Sequence, residues 1–69
     1  MELCDVTIIE NTDDGLRTVS FRINKADPKC FQDDGRIVTY WDINRKPHIF
    51  SSPIVSAQFL PVAPATEFK

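Results

Sequence analysis

Between Leu16 and Asn24 the side chains alternate with a period of two: Val19, Phe21 and Ile23 are apolar, and Thr18, Ser20, Arg22 and Asn24 around them are polar. An extended strand with one buried face satisfies that rhythm, because successive side chains of a strand point to opposite sides. Upstream, Leu3 to Glu10 is rich in β-branched residues and places Cys4, Val6 and Ile8 on one face. Asn11-Thr12-Asp13-Asp14-Gly15 joins the two segments as a hairpin loop of about five residues, with Gly15 free to take positive φ.

Asp33-Asp34-Gly35 repeats that turn chemistry before a second strand-forming run, Arg36 to Ile43. The residues upstream of the two turns, Ile8-Ile9-Glu10 and Lys29-Cys30-Phe31, share nothing, so the turns do not mark a duplication. Between the strands, Asp27 can cap and Pro28 can open one helical turn, with Cys30 or Phe31 plugging the open end of a sheet. Asn44 to Pro47 reads as a turn and His48 to Ser52 as a short strand. Ser52-Pro53 could start a helix through Leu60. However, Ile54 and Val55 are β-branched, and Val55, Ala57 and Phe59 alternate with Ser56 and Gln58, which favours a final strand.

At 69 residues the chain has room for one small core. We expect an all-β or β-rich α+β fold: a small antiparallel sheet of four to five strands with one short helical turn, either a curled meander or an SH3-like or OB-like barrel. Residues 1–62 form the domain, and residues 63–69, containing Pro64, form an extended mobile tail. An open sheet would leave an edge strand free to pair with a second copy, giving a homodimer.

The residues that chemistry requires are scarce. A single histidine, His48, follows Pro47 in a turn, and Cys4 and Cys30 are too far apart in sequence for a C-x-x-C unit. Both thiols are expected to be free. Asp13-Asp14 and Asp33-Asp34 lack the alternating ligands and closing Glu of a calcium loop, and two glycines supply no phosphate cradle. We therefore expect no enzyme, no catalytic residues, no metal and no cofactor. The first residues, Met-Glu-Leu-Cys-Asp, lack the basic and apolar regions of a secretory signal, and no apolar run reaches the ~20 residues of a membrane span. The expected location is the cytoplasm, away from membranes.

A net charge of −2 argues against nucleic acid as the partner. What remains is a protein-binding module: a small regulator, inhibitor or accessory subunit of a larger protein. Strand parity gives the adjacent aromatics Tyr40 and Trp41 opposite faces. Grouping Trp41 with Ile37 and Ile43 sends it to the core and leaves Tyr40 outside with Val38. The expected partner-binding residues are Val38, Tyr40, Arg45 and His48. The alternative is a single-strand nucleic-acid binder using Tyr40 with Arg36, Arg45 and Lys46.

Overall fold

The computed structural model describes residues 1–62, so the expected tail at residues 63–69 lies outside the described residues. Six strands run in order β1 (Leu3–Thr12), β2 (Gly15–Asn24), β3 (Phe31–Asp33), β4 (Val38–Trp41), β5 (Pro47–Phe50) and β6 (Ile54–Pro61). They form two antiparallel three-stranded sheets, β2-β1-β6 and β3-β4-β5. The β-rich class is as expected, but no barrel closes among the described residues; the strands divide into two facing layers.

The β1–β2 hairpin is tighter than its sequence suggests. Both strands continue to the turn, where Thr12 pairs with Gly15, so the loop is Asp13-Asp14 alone. Thr12 supplies the closure: its hydroxyl donates to Gly15 O at 2.7 Å and accepts from Asp14 N at 3.2 Å. Gly15 takes φ +114°, a conformation in which a Cβ would be strained. A 3-10 turn at Pro28–Cys30 stands where expected, with Asp27 accepting from Lys29 N.

The run from Arg36 to Ile43 forms only a four-residue strand, and two aspartates cut it short. Asp34 Oδ1 takes the N–H groups of Arg36 and Ile37 at 2.9 and 2.7 Å, removing them from any ladder. Asp42 Oδ1 does the same to Asn44 and Lys46 at 2.8 and 3.0 Å. Side-chain carboxylates compete here with strand pairing for the same donors.

Cys4, Val6, Ile8 and Ile23 of the first sheet meet Tyr40 and Phe50 of the second in one core, with Val19, Phe21, Cys30 and Val38 packed against it. Both cysteines are free, Cys4 buried and Cys30 half-buried. Tyr40 and Trp41 do face opposite ways, but in the reverse sense from that expected. Tyr40 is 9% exposed and lies 4.9 Å from Phe31, 5.6 Å from Phe21, 6.1 Å from Phe59 and 6.3 Å from Phe50, centroid to centroid. Trp41 sits half-buried on the other face. The grouping with Ile37 and Ile43 fails because neither lies on the strand: both are exposed in the flanking turns.

Glu10 is 3% exposed and fully engaged. It accepts from Arg17 Nε at 3.1 Å, directly across the β1–β2 ladder, and from Ser52 N at 3.1 Å, which ties the β5–β6 connection to the first sheet. The Arg17 guanidinium also lies 6.0 Å above the Phe50 ring.

Two outcomes follow, both measurable by urea denaturation. Tyr40→Ala removes about 3–5 kcal/mol of stability, against about 1–2 kcal/mol for Trp41→Ala. Glu10→Ala costs about 1–3 kcal/mol, because it leaves the Ser52 N–H without its acceptor.

Candidate protein-binding site

The β4–β5 turn, Asp42 to Lys46, is a hairpin loop that needs one left-handed residue. Arg45 N donates to Asp42 O at 2.9 Å, Asp42 N donates to Lys46 O at 3.1 Å, and Arg45 adopts φ +63°. Glycine or asparagine ordinarily takes such a position, since a Cβ and a long side chain make it costly. Among the described residues Arg45 is the one non-glycine residue with positive φ.

Asp42 organises the turn. Besides the backbone N–H groups of Asn44 and Lys46, it accepts from His48 Nε2 at 2.9 Å through Oδ2. A carboxylate can only accept, so Nε2 carries the proton of this bond. The His48 ring stacks on Phe21 at 4.3 Å with an interplanar angle of 7°. From the same turn Ile43 N donates to Arg22 O at 2.9 Å, joining the turn to the outer edge of β2. The loop carrying Arg45 is thus anchored to both sheets.

Beside this turn an open groove runs between the 3-10 turn and the end of β4. It is lined by Asp27, Lys29, Cys30, Phe31, Trp41, Ile43 and Arg45 among others. Phe31 and Ile43 expose roughly half of their surface, 45% and 48%. Burial pushes the Cys30 thiol above its ordinary pKa, and the nearby Asp27 carboxylate adds to that.

The four expected partner-binding residues do not form one surface. Val38 and Tyr40 face the core, where burial raises the Tyr40 phenol above its ordinary range. His48, expected on a solvated loop, is half-buried and supports the turn from behind. Arg45 alone is at the groove. The sequence reading missed Trp41 and Phe31 as surface groups. No sequence signal separates the two faces: Tyr40 is turned inward because Val38, on its face, pairs with the buried Phe50, a register that only the folded chain shows. Among the described residues, no group of three or more His, Cys, Asp or Glu side chains could hold a metal. Nor is any helix long and apolar enough to cross a membrane.

No protein-family model matches the chain, and no curated protein or solved structure shows significant similarity to it.

Asp42 is held below its ordinary pKa of 3.8, first by the bond from His48 and then by the Lys46 and Asn44 N–H groups. Asp34 is lowered by the Ile37 and Arg36 N–H groups. A carboxyl with a depressed folded pKa contributes stability that is present above its unfolded value and is lost as pH falls through the folded one. Thermal melts followed by circular dichroism should show Tm dropping as pH falls below about 4. Asp42→Asn should flatten part of that acid limb.

Proposed function

We propose that this chain is a non-enzymatic protein-binding module, a small regulator, inhibitor or accessory subunit, and that it grips a larger protein with the Trp41–Arg45 groove. The strained backbone of Arg45 carries this reading. A residue kept in the left-handed region where glycine would be more stable suggests that its side chain serves something other than folding. Trp and Arg are also the residue types most enriched at interface hot spots. Here they flank one groove with exposed Phe31 and Ile43, on a turn fixed by Asp42 and His48.

Trp41 and Arg45, with Lys29 across the groove, could also stack and neutralise a single-stranded nucleic acid. The aspartates beside them and the overall negative charge weigh against it. Oligonucleotide binding that weakens steeply with salt would favour this second reading.

Arg45→Gly separates stability from binding. Relief of the left-handed strain, less the added freedom of glycine in the unfolded chain, amounts to about 0.5 kcal/mol, a Tm rise of about 2–4 °C. Affinity capture from the native host with the wild-type chain should retain a specific protein. Its retention should fall about tenfold with Arg45→Gly and with Trp41→Ala, a loss of about 1.4 kcal/mol. With the purified partner, the chain's single tryptophan reports contact directly by a shift in its fluorescence. Equal retention by all three chains, or fluorescence unmoved by the partner, rejects the groove as the site.

A further inference from the structure

Charge is spread unevenly over this fold. The stretch from Arg36 to Phe50, which holds β4, the turn and β5, has Arg36, Arg45 and Lys46 against Asp42 alone, while the rest of the chain has five basic against nine acidic residues. Asp42 does little to offset them at the surface. Its side chain is 12% exposed, with Oδ2 bonded to His48 and Oδ1 to the Asn44 and Lys46 N–H groups. The ion pairs among the described residues are Arg17–Glu10, Arg22–Asp5 and His48–Asp42, so Lys29, Arg45 and Lys46 have no carboxylate partner there.

An acidic turn stands at the far end of β2 from this hairpin. Ile43 N–H meets the Arg22 carbonyl near the close of the strand, whereas the exposed Asp13 and Asp14 precede Gly15 at its start. Between Gly15 and Arg22 the strand runs about 23 Å. An approaching acidic surface is therefore drawn to the β4–β5 end, and a basic one is turned away from it.

The groove at that end combines both kinds of contact. Phe31, Trp41 and Ile43 are its large apolar residues, Lys29 and Arg45 its cations, and Asp27 its one exposed carboxylate, of which one oxygen already accepts from Lys29 N at 2.9 Å. We infer that the partner presents an acidic protein segment here: carboxylates that pair with Lys29 and Arg45, beside an apolar side chain that packs against Trp41 and Phe31. This rests on the groove proposed above and adds the chemistry of its ligand. Arg45 suits a carboxylate because its guanidinium donates two parallel bonds, and the turn has already fixed its backbone. A strand of nucleic acid brings a charge with every nucleotide, which two cations beside Asp27 do not match. A lipid surface has no side chain to send into a groove.

Trp41 is the chain's single tryptophan and lines the groove, so its fluorescence is the readout. The probe is a blocked peptide, Gly-Glu-Glu-Leu-Glu-Glu-Gly, titrated into the full chain at low salt beside the same peptide with glutamine, or with lysine, for every glutamate. The acidic peptide should shift the emission, the glutamine peptide should bind about tenfold more weakly, and the lysine peptide should leave the emission unmoved. Raising salt from about 20 to about 300 mM should weaken the acidic peptide several-fold. Lys29→Gln and Arg45→Gln should each weaken it about threefold, whereas Lys25→Gln, outside the groove, should not. All three positions are exposed, so the variants should melt like the wild type. The inference is overturned if the glutamine peptide binds as well as the acidic one, or if Lys29→Gln and Arg45→Gln bind the acidic peptide undiminished. It is equally overturned if a short oligothymidylate or phosphatidylserine vesicles shift Trp41 at lower concentration than the peptide does. A captured partner whose retention depends on Trp41 but on neither Lys29 nor salt keeps the groove and overturns the acidic ligand.

Discussion

The packing of aromatic rings around Tyr40 holds this small protein together. The ladders join strands within each sheet, yet neither three-stranded sheet could bury a face by itself. Tyr40 reaches Phe21 and Phe59 on the first sheet, and Phe31 and Phe50 on its own. Aromatic pairs at these separations add to the area they bury, which matters in a chain with room for so few core residues. Everything on the second sheet, including the β4–β5 turn, takes its position from that cluster.

Polar side chains then decide where the strands stop. Asp34 and Asp42 divert backbone donors from the ladder, and Glu10 draws Ser52 N–H and Arg17 into the edge of the core. Because Asp42 also binds His48, the same carboxylate that ends β4 fixes the turn on which Arg45 is strained. Local strain of this kind persists only where the surroundings over-determine it, and here Ile43, His48 and the turn bonds do so.

The proposed groove draws on a different part of the fold from the sheet that supplies most of the core. The groove lies beside the β4–β5 turn and takes Trp41 from the outward face of β4, Phe31 from the margin of the aromatic cluster, and Ile43 and Arg45 from the turn itself.

Much of the local structure was legible from the sequence. Alternation at Val19, Phe21 and Ile23 marked β2, the face of Cys4, Val6 and Ile8 marked β1, and Asp27-Pro28 marked the 3-10 turn, because period and turn chemistry act over a few residues. Alternation at Val55, Ala57 and Phe59 likewise placed β6. Tertiary structure decided which face of β4 turns inward. That depends on Phe21 and Phe59 arriving from distant strands to surround Tyr40, and parity alone assigns opposite faces without saying which is buried. It also decided the division into two sheets and the bond between Asp42 and His48, since both depend on where the carboxylates of Asp34 and Asp42 find donors once the chain has folded.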